Sequence, residues 1–175
     1  MDYSTDAAVV LYGAMDSKQL PVVGWREWIS LPELGIPSIK VKVDTGARSS
    51  AIHAIDIKQF ELNGVKRVRF QIAPIQSDDQ RLVMVETDLL EERGITDSGG
   101  HQQIRPVIVT SVCLGSLHWP IELTLTNRDE MGFRMLLGRQ AMRERFLVNP
   151  SQSFLQSLDL AKEQGFDLSE SDDQS

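Results

Sequence analysis

The middle of the chain repeats with a period of two. Ile39, Val41 and Val43 alternate with Lys40 and Lys42; Val68, Phe70 and Ile72 alternate with Arg69 and Gln71; Ile121, Leu123 and Leu125 alternate with Glu122, Thr124 and Thr126. Successive side chains on a strand point to opposite faces, so each run predicts a β-strand with one face buried. Segments 22–31, 82–87 and 106–112 are further strand candidates with less regular patterning. Between these runs lie turn-forming residues: Pro32 to Pro37, Asn63-Gly64 and Leu114-Gly115-Ser116. Asn63-Gly64 is the strongest hairpin signal, because both residues tolerate the left-handed backbone of a tight turn.

Helical spacing is confined to the end of the chain. Arg139 to Phe146 predicts two turns after Gly138. Ser151 to Gln164 sets Phe154, Leu155, Leu158 and Ala161 on one face behind a Ser151 cap, with Gly165 placed to stop the helix. Many short strands and few helices indicate an all-β sandwich or small barrel. No internal repeat or low-complexity segment interrupts it.

A length of 175 residues predicts one domain with short ends. The expected division is an N-terminal extension over 1–20, a domain over 21–156 and an acidic C-terminal segment over 157–175 whose last residues form a solvated tail. In that segment Asp159, Glu163, Asp167, Glu170, Asp172 and Asp173 outnumber Lys162. Over the whole chain 18 Lys and Arg face 25 Asp and Glu, a net charge of −7, which argues against a general electrostatic grip on nucleic acid or an anionic membrane. The single cysteine, Cys113, forms no internal disulfide and no cysteine-based zinc cluster, which suits a reducing compartment. The apolar run Ala7 to Met15 follows Asp2 and Asp6 with no Lys or Arg before it. It is too short for a membrane span and lacks the cationic start of a secretory signal, so the expectation is a cytoplasmic protein.

The sharpest chemical signal is Lys42-Val43-Asp44-Thr45-Gly46-Ala47. A carboxylate ends an alternating strand and small turn-forming residues follow. Gly46 lets backbone approach Asp44, and Thr45 supplies a hydroxyl. Alone, this triplet also describes an ordinary strand end with an Asx-type turn. About 90 residues later, Phe133 to Met142 reads as apolar-apolar-Gly-Arg running into a short helix. The pair, in this order, resembles the retropepsin-like aspartic peptidases, which set an Asp-Thr-Gly-Ala loop against a later apolar-apolar-Gly-Arg turn. Ser98-Gly99-Gly100-His101 falls where that family carries a Gly-rich flap hairpin.

A longer resemblance runs from Val22 to Leu155. Gly24-Trp25-Arg26-Glu27-Trp28, Asp44-Thr45-Gly46-Ala47-Arg48-Ser49-Ser50-Ala51-Ile52-His53-Ala54, Trp119 to Arg128 and Arg145-Phe146-Leu147-Val148-Asn149-Pro150 are similar to a bacterial retropepsin-like family labelled ATP-dependent zinc proteases. Some of its members are associated with RimK-type ligases, which add glutamates to a ribosomal protein. The residues themselves support neither adjective of that label. No Gly-rich run ends in Gly-Lys-Ser/Thr, and His53, His101 and His118 are widely separated rather than one helical turn apart. No cofactor or metal is expected, and a zinc-dependent hydrolase is the weakest reading.

The resemblance implies a closed acid-protease barrel, and a peptidase in which Asp44, Thr45 and Gly46 form the catalytic loop. Two aspartates close together share a proton; one activates water while the other protonates the carbonyl oxygen. This chain has one Asp-Thr-Gly, so a complete dyad requires a homodimer that brings Asp44 to Asp44. Ala47, Arg48, Gly99, Gly100, Arg105 and Arg139 are the expected substrate-binding residues, with Gly99 and Gly100 in the flap. The viral relatives have an acid where this chain has Arg48. Arg48, Arg139 and Arg105 then concentrate positive charge near Asp44 and suit an acidic or glutamate-rich substrate, unless Glu122 or Glu144 neutralises them. The rival expectation is a noncatalytic peptide-binding module that regulates a glutamate ligase through the same groove.

Overall fold

The computed structural model describes residues 20–75, 78, 80–97, 99–127 and 132–167. Most of the expected N-terminal extension, Ser98 of the flap motif and the expected tail from 168 onward lie outside these residues.

Twelve strands dominate the described residues: β1 (Val22–Val23), β2 (Arg26–Leu31), β3 (Ile36–Asp44), β4 (Ser50–His53), β5 (Ile55–Leu62), β6 (Val65–Ile72), β7 (Val83–Asp88), β8 (Glu91–Thr96), β9 (Gln102–Leu114), β10 (Leu117–Thr126), β11 (Met135–Gly138) and β12 (Leu147–Val148). Two short α-helices, α1 (Arg139–Met142) and α2 (Leu158–Glu163), complete the set with a 3-10 turn at Pro32–Leu34. The alternation places these strands because each sets its apolar face inward: Ile39, Val41 and Val43 are buried, as are Val68, Phe70 and Ile72, and Ile121, Leu123 and Leu125. The polar face of β10 does not simply meet water. Thr124 and Thr126 on it are 1% and 3% exposed, because that face forms the wall of a cleft.

The main sheet runs β10-β4-β11-β3-β2-β9-β8, and β10 also pairs with β9. The pairings therefore return on themselves as a ring of six strands, with β8 added to the far end of β9. The length of β9, 13 residues, makes this possible: Val107 to Leu114 pairs with β10, while Gln102 to Val107 pairs with β8. A separate sheet β5-β6-β7 places Val68, Phe70 and Ile72 in the same apolar cluster as Ile29, Ile52 and Leu123, so one core serves both sheets. Asn63 and Gly64 join β5 to β6 with φ of 52° and 78°, the backbone a type I′ hairpin requires.

Three elements depart from the sequence pattern. The expected strand 22–31 breaks into β1 and β2 at Gly24, where a Cβ would stand 2.2 Å from the Gln152 carbonyl oxygen, so the C-terminal segment can pass only over a glycine. The helix expected from Ser151 begins at Leu158 instead. The intervening N–H groups of Leu155 and Gln156 donate to the Glu27 carboxylate rather than to a preceding turn. After Gly138 only Arg139–Met142 is helical; Glu144 turns left-handed at φ 63°. Trp119 holds that short helix by donating from Nε1 to the Ala141 carbonyl at 3.0 Å.

Candidate functional site

Asp44 closes β3 beside the end of the inserted strand β11. β11 lies between β3 and β4, parallel to the first with Gly138 opposite Asp44, and antiparallel to the second. The loop 45–49 must therefore cross over the end of β11. Gly138 permits this crossing: a Cβ there would meet the Ser49 carbonyl carbon at 2.5 Å. The crossing is fastened by four hydrogen bonds. Arg139 N–H donates to Ala47 O at 2.8 Å and Gln140 N–H to Arg48 O at 3.1 Å. Gly138 N–H donates to Ser50 Oγ at 3.0 Å, and the Arg139 guanidinium donates to Thr45 O at 3.0 Å.

Within the loop, the N–H groups of Gly46 and Ala47 both donate to Asp44 Oδ1 at 3.0 Å. Oδ2 accepts no hydrogen bond among the described residues. One oxygen thus fixes the carboxylate's orientation while the other keeps its acceptor sites unused. The half-buried Asp44 lines a cleft of about 960 Å³ whose floor includes Ala51, Thr124, Thr126 and Leu136, and whose cover comes from β8 and its connection to β9. That connection is a tight hairpin: Asp97 N–H donates to His101 O at 2.9 Å and Gly100 N–H to Asp97 O at 3.0 Å. The Asp97 carboxylate accepts from the N–H groups of Gly99 and His101, and Gly100 takes φ 81°.

The residues singled out from the sequence are divided by this arrangement. Asp44, Gly46, Ala47, Arg48 and Arg105 line the cleft. Gly99 and Gly100 sit at the tip of the covering hairpin, outside the cleft lining. Thr45 and Arg139 face the other side of the loop, around a second cavity of about 550 Å³ shared with Arg48, Arg143, Met142 and Phe146. Sequence reasoning did not anticipate Arg93, which reaches into the cleft from β8. It donates to Glu91 at 2.7 Å and pairs with Glu122 at 2.8 Å. The hydrogen bonds to Glu122 and then to Glu91 raise its pKa. Glu122 is thereby bound to Arg93, and Glu144 lies beside Arg143 at 3.9 Å. Neither forms an ion pair with Arg48 or Arg139, and among the described residues neither arginine has any ion pair.

The donor set does not fit a zinc centre. Among the described residues, no group of three or more His, Cys, Asp or Glu side chains is close enough to hold a metal ion: His53 ends β4, His101 follows the hairpin tip, and His118 sits on β10 opposite Cys113. No helix among the described residues is long and apolar enough to cross a membrane.

Residues 22–158 match the RimB-like family, described as "Retropepsin-like aspartic endopeptidase RimB". A Shewanella pealeana protein named "Probable alpha-L-glutamate ligase" is 46% identical over 133 residues, which are 76% of this chain and 29% of that protein. A Parasynechococcus marenigrum protein of the same name is 47% identical over 132 residues, 75% of this chain and 28% of that protein. The chain thus spans less than a third of the length of these curated relatives. The crystal structure of Lpg0085 from Legionella pneumophila, a protein of unknown function, superposes with a TM-score of 0.63 at 26% identity, covering 77% of this chain and 96% of that one.

Proposed function

The chain belongs to the RimB-like family of retropepsin-like aspartic endopeptidases, and from that membership we propose that it hydrolyses peptide bonds through Asp44. The observation that carries this reading is the Asp44 carboxylate itself, anchored through Oδ1 by two loop N–H groups and open at Oδ2 to a cleft large enough for an extended peptide. The ring of strand pairings supports the closed acid-protease barrel as its frame.

One carboxylate is half of the required chemistry, so the acting species is a homodimer with its two Asp44 side chains in hydrogen-bond reach and sharing one proton. The ionised member takes a proton from water as the water oxygen attacks the peptide carbonyl carbon. The other member gives its proton to the carbonyl oxygen. The tetrahedral intermediate then collapses, a proton passes to nitrogen, and the C–N bond breaks to leave an acid and an amine. Thr45 and Gly46 shape the loop, while Gly99 and Gly100 let the hairpin turn over the bound peptide.

Arg48 and Arg105 beside Asp44 suit substrate carboxylates, which makes an acidic or glutamate-rich peptide the favoured substrate. The likeness to proteins named as glutamate ligases supports a role beside a RimK-type ligase acting on a ribosomal protein, in the cytoplasm. The alternative is a noncatalytic module that holds such a peptide in the same cleft. Analytical ultracentrifugation combined with cleavage of poly-glutamate and of neutral peptides separates the two. The expected result is a dimer that cleaves the acidic peptide, is indifferent to chelator, and loses roughly 10-fold of its acidic preference in Arg48→Ala, one charge-assisted contact. A protein that stays monomeric and binds without turnover is the module instead.

A further inference from the structure

Beyond the part of the floor nearest Asp44, the strands that build it carry a second row of polar groups. Ala51, Thr124 and Leu136 are cross-strand neighbours that line the cleft. Two residues further along the same faces stand His53 on β4 and Thr126 on β10, themselves partners in the parallel ladder. His53 is 7% exposed and Thr126 3%. The Nδ1 of His53 and the Oγ1 of Thr126 are both buried and have no hydrogen-bond partner among the described residues. Thr124, one step nearer Asp44, differs: its hydroxyl donates to Ser50 O at 3.1 Å. Thr126 lines the cleft, and His53 stands beside it in the ladder, outside the cleft lining.

Buried hydroxyls and imidazole nitrogens in native structures are almost always paired, since leaving one unpaired forfeits its hydration without return. Here the two groups are cross-strand partners, one of them in the cleft lining, an arrangement that a guest from the cleft completes. We propose that His53 and Thr126 form a subsite that receives a side-chain carboxamide of the bound peptide. Its carbonyl oxygen accepts from the Thr126 hydroxyl and its NH2 donates to His53 Nδ1. A neutral imidazole nitrogen that accepts, next to a hydroxyl that donates, matches one acceptor and one donor in a single planar group. The cations of the cleft lining lie elsewhere: Arg48 is on the Asp44 loop and Arg93 and Arg105 are on the covering strands, while Arg134, whose carbonyl accepts from His53 N–H at 2.8 Å, is outside the lining and is not without a partner of its own.

The subsite rests on the Asp44 cleft being the peptide-binding cleft, and its test therefore reads binding apart from turnover. In full-length Asp44→Asn protein, hexapeptides of one backbone carrying Gln, Glu or Leu at each position in turn are titrated while the His53 ring nitrogens are followed by 15N NMR. At one position the Gln peptide is expected to move the His53 Nδ1 signal and to bind more tightly than its Glu and Leu counterparts. Thr126→Val replaces an unpaired hydroxyl by a methyl of the same shape, so it keeps or raises thermal stability and weakens only the Gln peptide, by about 5-fold, as loss of one hydrogen bond implies. A His53 signal unmoved by every peptide, as when a water alone satisfies both groups, overturns the subsite. So does a Thr126→Val variant that weakens all peptides alike, or a preference for Glu over Gln at the position that moves His53. If the Gln peptide binds as described but the parent protein never cleaves it, the peptidase reading fails while the subsite stands; cleavage with no Gln-selective position gives the reverse.

Discussion

Glu27 on β2 and Asp44 on β3 are carboxylates on neighbouring strands put to opposite uses. Glu27 is 0% exposed and both of its oxygens are occupied: Oε1 accepts from Gly24 N–H at 2.7 Å and Leu155 N–H at 3.0 Å, and Oε2 accepts from Gln156 N–H and from the Ser157 hydroxyl at 2.5 Å. It replaces the hydration of a buried charge by protein donors and in doing so ties the segment after Asn149 to the sheet. Asp44 is only half-buried, with one oxygen held and the other unused. The comparison teaches that a carboxylate is read by its remaining lone pairs: a saturated one is a structural clamp, and a half-saturated one beside a cavity is available to a substrate.

The largest expected effect falls on the member of the pair proposed to carry the chemistry. Asp44→Asn keeps the Oδ1 acceptor for Gly46 and Ala47, so its melting temperature should stay close to the parent's, while peptide hydrolysis falls by about 10⁴-fold. Initial rates and a thermal melt measured side by side check this, and retained hydrolysis would remove Asp44 from the chemistry. The structural member answers in the other direction. Glu27→Ala strands one buried and two part-buried N–H donors and a buried hydroxyl, which should lower the unfolding free energy by about 4 kcal/mol in urea denaturation. A loss below about 1 kcal/mol would mean that the C-terminal segment is held by its apolar contacts instead.

A third substitution sharpens the contrast by disturbing the crossing that presents Asp44. Gly138→Ala drives a methyl into the Ser49 carbonyl and should cost about 2 kcal/mol of stability. It should also displace the loop, visible as shifts of the Gly46 and Ala47 amides in a 15N–1H spectrum; amides that stay in place would show that β11 yields rather than the loop. The smallest effect concerns a third, fully exposed carboxylate. The Ser111 hydroxyl and then its N–H hold the Glu33 carboxyl below its ordinary value of 4.5. Folding therefore gains from Glu33 above pH 4.5 and loses that contribution as the pH falls through the lowered value. Ser111→Ala should move the Glu33 carbon titration upward toward 4.5, and an unmoved curve would discard Ser111 as the cause.

The β-rich character, the Asn63-Gly64 hairpin and the Asp44 loop were legible because each depends on residues adjacent in the chain: alternation declares a one-sided strand, and small turn formers after a strand-end acid declare the loop. β8 was not legible. Its Glu91-Glu92-Arg93-Gly94-Ile95-Thr96 has no core face to produce alternation, since it borders the cleft on one side and solvent on the other. Arg93 was lost with it.

Sequence alone determined which segments extend, where the tight turns fall and which acid ends a strand in a small-residue loop, since backbone preference and side-chain periodicity act over a few residues. Only the tertiary structure decided that Glu27 is a clamp, that Glu122 pairs with Arg93, and that Thr124 and Thr126 wall a cleft rather than face water. Those outcomes depend on partners brought from distant parts of the chain, and the identity of a carboxylate carries no mark of which donors will reach it.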